Sequence, residues 1–260
     1  KLVKKSISGY LIRKSYLKCN KDRLSEFLTN MDEFLNIDER HFKNEEFITL
    51  RTIGSTDTVT IYLYYHIESE QLFAVKHRNF VNEQLVYREI SNFRKINHPL
   101  ICRYYGTIQD NKTDSVSIVI EYIDGQTLND ISILDISEKV KISMIIEIVY
   151  IFKYLHENKF IYRDLKPDNV ILDRNNHIVL IDFDRMIEYN DYQEGNQRQM
   201  NIFEYTRDFN EYFSDPCICS EDWTPAPEND IYSIGKMIYF IFTNKIPIQT
   251  YDSEFIKQYP

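Results

Sequence analysis

The stretch YRDLKPDN, residues 162–169, places three chemically useful side chains within eight positions. Asp164 carries a carboxylate that can accept a proton from a hydroxyl group. Lys166 puts a positive charge two residues further on, where it can stabilise an anionic group. Asn169 offers a neutral oxygen, a ligand type that the hard cation Mg²⁺ prefers. A polar surface turn does not need this combination, so the stretch predicts a catalytic loop.

The same eight residues resemble the catalytic loop of the eukaryotic protein kinase family, which usually begins with histidine where this chain has Tyr162. Phosphoryl transfer needs a positioned hydroxyl, neutralised phosphate charge and held metals rather than covalent help from protein. The resemblance therefore implies Asp164 as catalytic base, Lys166 on the phosphate in flight and Asn169 on magnesium. Lys166 resembles the serine/threonine kinases rather than the tyrosine kinases.

A second metal ligand is expected in IDFD, residues 181–184. A predicted strand–turn–strand unit separates it from the catalytic loop, and matched strands of a hairpin return its two ends to the same place. Asn169 and Asp182 are therefore expected to share one magnesium cluster. The family has glycine where Asp184 stands. Because aspartate enters the left-handed region less easily than glycine, we expect a less flexible loop here.

The segment FAVK, residues 73–76, resembles the family strand that carries a phosphate-binding lysine. Period-two alternation puts Ala74 and Lys76 on one face of a strand. The resemblance implies an ion pair between Lys76 and Glu89 of the following helix, formed in the active state. It also implies an apolar stack that couples two lobes, made of Phe93, Tyr104, Tyr162 and Phe183.

The segment IVIEYIDG, residues 118–125, resembles the hinge of the family. The resemblance places Ile120 at the back of an adenine pocket, with the backbone of Glu121 and Ile123 bonded to the base. The complete set of ATP-binding residues that it implies is Ile53, Gly54, Ile61, Ala74, Lys76, Ile120, Glu121, Ile123 and Ile171.

The phosphate loop departs from the family pattern G-x-G-x-x-G, because residues 54–61, GSTDTVTI, keep only Gly54. Thr56 and Val59 are β-branched where glycine lets the backbone approach phosphate, so we expect weak ATP affinity. This loss, with Asp184 and with Cys217 in place of a glutamate, supports an alternative, a pseudokinase acting as a nucleotide-binding or scaffolding module. A small-molecule phosphotransferase of related fold is a second alternative. Since every charged group that the chemistry requires is present, we expect a protein serine/threonine kinase using ATP and Mg²⁺.

A long polar loop, residues 182–217, holds candidate regulatory side chains. Arg163 precedes the catalytic aspartate, as in kinases whose loop phosphate pairs with that arginine. Phosphorylation of Tyr205 or Thr206, by an upstream kinase or by the protein itself, is expected to order the loop. Beyond it, DIYSIG at residues 230–235 resembles the start of the central C-lobe helix, with Asp230 bracing the catalytic loop.

The order of patterns, strands with one helix and then helices with one hairpin, predicts an α+β fold. It is a bilobal protein-kinase-like fold, with a small antiparallel β-sheet and one helix in an N-lobe of about residues 45–122 and a mainly helical C-lobe of about 123–260. The resemblance implies a fragment that lacks the last C-lobe helices. Residues 1–21 carry seven basic residues and no acid. With a helical pattern after them, they predict a basic arm and helical extension over residues 1–44.

Composition and net charge limit the classes of molecule that this protein is expected to bind. The net charge of -9 argues against nucleic-acid binding, which needs a basic face. No uncharged apolar run approaches the roughly 18 residues of a membrane helix, and the four cysteines lack paired metal spacing. We expect a protein substrate phosphorylated on serine or threonine, and a location in the cytoplasm or nucleus.

Overall fold

The structure is a computed structural model that describes residues 39–78, 83–110, 115–189, 210–219 and 224–247. Two compact units divide the chain. Unit 1 is the described part of Lys1–Gly125 together with Val179–Asp184, and unit 2 is the described part of Gln126–Ile178 and Arg185–Pro260. Unit 1 is rich in strands and unit 2 is mainly helical, as the sequence predicts for an α+β fold.

A six-stranded sheet and one helix form unit 1. The strands are β1 (Arg40–Phe42), β2 (Phe47–Ser55), β3 (Val59–His66), β4 (Gln71–Arg78), β5 (Tyr104–Asp110) and β6 (Ser115–Glu121), and helix α1 spans Glu83–Phe93. In the sheet, the strands follow the order β1-β5-β6-β4-β3-β2. Strands β2 to β6 pair antiparallel with their neighbours, as the sequence predicts for a small antiparallel sheet. Strand β1 was not predicted, and it pairs parallel with β5.

Gly106 is the residue of β5 that lets strand β1 approach. It pairs with Arg40 and has a φ of 147°. A Cβ atom built at Gly106 would lie 1.9 Å from the carbonyl oxygen of Arg40, so no other residue fits this register. Strand β1 in turn buries Phe42, whose ring centroid lies 5.3 Å from that of Phe47.

The segment Val179–Asp184 belongs to unit 1 through backbone hydrogen bonds. The N–H of Leu180 donates to the carbonyl of Leu100 at 2.8 Å, and the N–H of Cys102 donates to the carbonyl of Leu180 at 2.9 Å. The buried Leu100 side chain anchors this contact. These bonds fix the chain just before Asp182.

Unit 2 is built around two helices, α2 (Glu138–Glu157) and α3 (Pro227–Thr243). Its short strands are β7 (Gly125–Thr127), whose first residue lies in unit 1, β8 (Phe160–Ile161), β9 (Val170–Asp173) and β11 (Ile187–Glu188). Strands β8 and β11 pair antiparallel. Strand β10 (Ile178–Leu180) begins in unit 2 and ends in unit 1. The predicted turn after β9 is closed by the N–H of Asp173 on the carbonyl of His177, with Asn176 at a φ of 64°.

Helix α2 is capped at its start by Ser137, whose side chain accepts the N–H of Val140. Met144, Ile148, Phe152 and Leu155 form the buried stripe of this helix, whereas Val149 is 49% exposed. Ile151 is buried instead, because the stripe turns with the 3.6-residue period.

Glu147 is a fully buried carboxylate on the same helix. It accepts the N–H of Ile178 at 2.8 Å and contacts Nδ1 of His177 at 2.9 Å. A buried charge is tolerated only with such partners. Helix α2 thereby holds the turn that follows β9.

The predicted basic arm and extension helix lie outside the described residues, apart from the last few positions before residue 45. Among the residues described, no helix is both long and apolar enough to cross a membrane. Cys102 is buried and Cys217 is exposed, and both are free thiols.

Candidate active site

The ion pair predicted between Lys76 and Glu89 is present in unit 1. Strand β4 carries Lys76 and helix α1 carries Glu89, and Nζ lies 2.7 Å from Oε1. The same ammonium lies 2.8 Å from Oδ1 of Asp182. Lys76 is 5% exposed and Glu89 is fully buried. One buried cation therefore joins strand β4, helix α1 and the IDFD segment.

The charge of Lys76 is stabilised by its neighbours. Burial alone lowers the pKa of this ammonium, but the carboxylates of Asp182, Glu89 and Asp184 outweigh burial and raise the pKa. The pKa of Glu89 is raised too, because the effect of burial is larger than the lowering effect of the nearby Lys76 charge. We regard the pair as ionised, because each charge has a partner within hydrogen-bonding distance.

The backbone constraint in the IDFD segment falls on a different residue from the one expected. Asp182 has a φ of 65°, whereas Asp184 is not among the described non-glycine residues with positive φ. Aspartate tolerates the left-handed region because its short side chain bonds locally. Asp184 instead pairs with Arg78, whose Nη2 lies 3.1 Å from Oδ2. The same Nη2 lies 3.2 Å from Oε2 of Glu89.

Three of the four residues of the predicted apolar stack meet in unit 1. The rings of Phe93 and Tyr104 are stacked with centroids 5.7 Å apart, and Phe93 meets Phe183 edge-on at 5.2 Å. Nδ2 of Asn92 also donates to the carbonyl of Phe183 at 2.8 Å. Tyr162 belongs to unit 2, where its ring packs against Phe152 at 5.8 Å. Helix α1 is thus tied to the IDFD segment by apolar as well as charged contacts.

The predicted catalytic loop forms a compact polar cluster in unit 2. Asp164 is 5% exposed, and its Oδ2 is contacted at 2.8 Å by Nζ of Lys166 and by Nδ2 of Asn169. Nη1 of Arg185 lies 3.4 Å from Oδ1. Lys166 and Arg185 therefore place positive charge beside this carboxylate, and Lys166 and Asn169 orient it.

The donor set fits magnesium. Nδ2 of Asn169 donates to both the carbonyl and the carboxylate of Asp164, so Oδ1 is the atom of this amide suited to a cation. The Asp182 side chain is 31% exposed and carries two oxygens. Amide and carboxylate oxygens are the ligands that Mg²⁺ takes in phosphate-binding sites. Asp182 lies in unit 1 and Asn169 in unit 2, so their shared cluster stays a prediction.

Asp230 braces the catalytic loop, as the sequence predicts. Its carboxylate, 1% exposed, accepts the backbone N–H of Tyr162 and that of Arg163, each at 2.9 Å. His156 adds a third contact through Nε2 at 2.8 Å. Arg163 has a φ of 71°, a conformation that L residues seldom adopt. The carboxylate therefore offsets backbone strain directly beside Asp164.

Strand register brings five of the predicted nucleotide-binding residues of unit 1 to one face of the sheet. Gly54 pairs with Ile61, which pairs with Lys76, and two residues before Lys76 lies Ala74, paired with Ile120. Residues directly opposite each other, and residues two apart on one strand, share a face. This face has the composition of an adenine and phosphate site, with apolar side chains and the Lys76 cation.

The remaining predicted nucleotide residues have less direct support. Ile53 lies on β2, Glu121 ends β6, and Ile123 is buried just after it. Ile171 lies on β9 in unit 2, so its place beside the others stays a prediction. Gly54 itself has no steric need to be glycine, since a Cβ there would meet Ile61 at 3.7 Å, an ordinary contact.

Among the regulatory candidates, Tyr205 and Thr206 lie outside the described residues. Nη1 of Arg163 lies 3.5 Å from the carbonyl of Arg185. Sequence reasoning missed Arg78 as a member of the site. The signal that could have found it is period two, because Ala74, Lys76 and Arg78 alternate onto one face of β4.

Comparison with known proteins agrees with this geometry. A family model described as the protein kinase domain matches residues 47–259. The carbon catabolite-derepressing protein kinase of Saccharomyces cerevisiae is 27% identical over 220 residues, covering 81% of this chain and 32% of that protein. The SNF1-like protein kinase ssp2 of Schizosaccharomyces pombe is 29% identical over 235 residues, covering 85% and 37%.

A third relative matches a shorter stretch more closely. The MAP kinase kinase MKK1/SSP32 of Saccharomyces cerevisiae is 35% identical over 124 residues, covering 44% of this chain and 24% of that protein. The chain thus spans between 24% and 37% of the length of these three relatives.

Proposed function

Because the chain belongs to the protein kinase family, we propose that it transfers the γ-phosphate of ATP to a serine or threonine hydroxyl of a protein substrate. The observation that carries the proposal is the buried Lys76 ammonium, 2.7 Å from Glu89 and 2.8 Å from Asp182. Phosphoryl transfer in kinases depends on this lysine–glutamate pair and on the aspartate that holds magnesium.

Asp164 is the residue placed to handle the substrate proton. Lys166 and Asn169 both contact Oδ2 and orient the carboxylate through it. The carboxylate would accept the hydroxyl proton as the substrate oxygen forms its bond to the γ-phosphorus. The bond from the γ-phosphorus to the bridging oxygen breaks at the same centre, and ADP leaves with those electrons. Lys166 would stabilise the negative charge on the phosphate in flight.

The cofactor residues are divided between the two units. Lys76 would bind the phosphates of ATP, while Asp182 and Asn169 would hold Mg²⁺ through oxygen atoms. When bound, magnesium supplies charge neutralisation for the triphosphate. The proposal of serine or threonine specificity is supported by Lys166 and by two Dictyostelium discoideum relatives that carry the name "Probable serine/threonine-protein kinase".

A pseudokinase that binds nucleotide without transferring phosphate is the second candidate. Its support is the segment around Thr56 and Val59, where β-branched residues replace two glycines. The N–H of Thr56 already donates to the carbonyl of Val59 at 2.8 Å. A turn closed in this way offers fewer backbone donors to phosphate.

The test measures transfer of labelled γ-phosphate to a generic basic protein, followed by identification of the phosphorylated amino acid. Asp164→Asn is expected to lower the rate by about 100-fold or more, since it removes the base. Asp168→Asn is the matched control, because Asp168 lies in the same loop and is exposed. It should leave the rate within about twofold. No transfer from the wild-type protein, with nucleotide still bound, would establish the pseudokinase instead.

A further inference from the structure

We propose that Arg78 and Asp184 form a positioning pair that locks the IDFD segment against helix α1 in the arrangement required for transfer. The inference rests on the proposed function and goes beyond it. Asp184 would then position the IDFD segment, and its presence would be more than the loss of the glycine that the family has at this position.

A single guanidinium nitrogen bridges two carboxylates. Nη2 of Arg78 lies 3.1 Å from Oδ2 of Asp184 and 3.2 Å from Oε2 of Glu89. The Arg78 side chain is 10% exposed, that of Asp184 is 22% exposed and that of Glu89 is 1% exposed. Contacts shielded from water in this way are screened little by salt and are stronger than surface ion pairs.

Arg78 links Glu89 to the IDFD segment in the same way as Lys76 does. Oε1 of Glu89 faces Lys76 and Oε2 faces Arg78, so both oxygens are used. Lys76 continues to Asp182, and Arg78 continues to Asp184. Cations two residues apart on β4 therefore meet acids two residues apart in the IDFD segment. A glycine at position 184 would leave only the Lys76 half of this double link.

The double link restrains the metal ligand. Asp182 occupies the left-handed region, a conformation that persists only when its surroundings hold it. The Lys76 bridge holds the Asp182 side chain, and the Arg78 bridge holds the backbone two residues later. Asn92 fixes Phe183 between them through its carbonyl. Without the Arg78 bridge, the backbone that follows Phe183 has fewer restraints.

The Arg78–Asp184 pair also helps to balance the charges of this cluster. Three carboxylates, those of Glu89, Asp182 and Asp184, surround two cations, Lys76 and Arg78. Removal of Arg78 leaves three acids with one cation, and a partly buried acid without a partner is costly. Removal of Asp184 leaves Arg78 with Glu89 alone among these acids. Either change should loosen the IDFD segment, so the two residues should behave as one unit.

The test uses Arg78→Met, Asp184→Gly and the double variant, with two readouts. The first is backbone hydrogen exchange over residues 181–184 in the protein without nucleotide. The second is the kcat and KM for ATP in phosphate transfer. Each single variant should speed the exchange of this segment about tenfold and lower kcat about tenfold, with KM for ATP changed less than about threefold. The double variant should be no worse than the more impaired single variant.

Matched controls separate this inference from the proposed function. Arg51→Met removes an exposed arginine from the same sheet and should change neither readout. Asp164→Asn should lower the rate of transfer by about 100-fold or more and leave the exchange of residues 181–184 as in the wild type. If the wild type transfers no phosphate, the exchange arm still decides whether the pair holds the segment. Unchanged exchange in Asp184→Gly, or a higher kcat for that variant, would overturn the proposal.

Discussion

The carboxylate of Asp230 accepts the backbone N–H of Arg163 at 2.9 Å, across 67 positions of the chain. The bond is notable because Arg163 has a φ of 71° and immediately precedes the proposed base. A buried acceptor at this place stabilises a backbone conformation that would otherwise cost about 1–3 kcal/mol. The start of helix α3 therefore determines the shape of the catalytic loop.

Replacement of Asp230 by asparagine should loosen that loop. The carboxylate uses both oxygens, one for Arg163 and the other for Tyr162 and His156. An amide has only one oxygen, so at least one N–H loses its acceptor. We expect Asp230→Asn to lower the free energy of unfolding by about 1–3 kcal/mol, measured by urea denaturation. Glu228→Gln, an exposed change in the first turn of the same helix, should have little effect. Equal stability of the two variants would contradict the bracing role.

Gly106 should tolerate no side chain. A Cβ at this position would lie 1.9 Å from the carbonyl oxygen of Arg40, so Gly106→Ala forces strand β1 to leave or to shift. We expect a loss of about 2 kcal/mol or more in the free energy of unfolding, because buried Phe42 moves with the strand. Gly235→Ala is the control, since nothing lies within 4 Å of the added Cβ. In helix α3 that change should stabilise by about 0.5–1 kcal/mol. Similar stability of both alanine variants would show that β1 contributes nothing.

Buried His98 predicts a pH dependence of stability. Burial lowers the pKa of His98 to about 4, and its Nδ1 accepts the N–H of Leu100 at 3.2 Å. The unfolded chain binds a proton below pH 6.5, whereas the folded chain binds it only near pH 4, so stability falls as the pH decreases between these values. At pH 5 this group alone should remove about 2 kcal/mol relative to pH 7.

His98→Asn keeps an acceptor for Leu100 and removes the titration. Urea denaturation at pH 7 and pH 5 should show a smaller loss of stability for the variant than for the wild type, by about 2 kcal/mol. The other histidines are common to both proteins and cancel in the comparison. An equal loss in both would mean that His98 is protonated in the folded protein.

The sequence predicted the parts of the site that rest on local pattern. The catalytic loop follows from residue types within eight positions, and its contacts are present. The Lys76–Glu89 pair and the bracing by Asp230 follow from the resemblance to the protein kinase family, and these contacts are present as well. The antiparallel strands also followed, because their alternation is a local signal.

Features that depend on distant partners were not predictable in the same way. Strand β1 has three residues, two of them exposed, and its reason for being a strand is Gly106 on another strand. Asp184 was interpreted as a lost glycine because its partner Arg78 lies 106 positions away. Short-range periodicity puts Arg78 on the face of Lys76, but it does not identify the distant partner in either pairing.

The proposed phosphate transfer would require that Asp182 of unit 1 and Asn169 of unit 2 both hold magnesium for one triphosphate. The most direct test is the initial rate of γ-phosphate transfer as a function of Mg²⁺ concentration, for wild type, Asp182→Asn, Asn169→Ala and the double variant. We expect each single change to raise the half-saturating Mg²⁺ concentration about tenfold or more. The increase in the double variant should differ clearly from the product of the two single increases, because both residues would bind the same metal. A rate that does not depend on Mg²⁺, or two effects that simply multiply, would contradict a shared cluster.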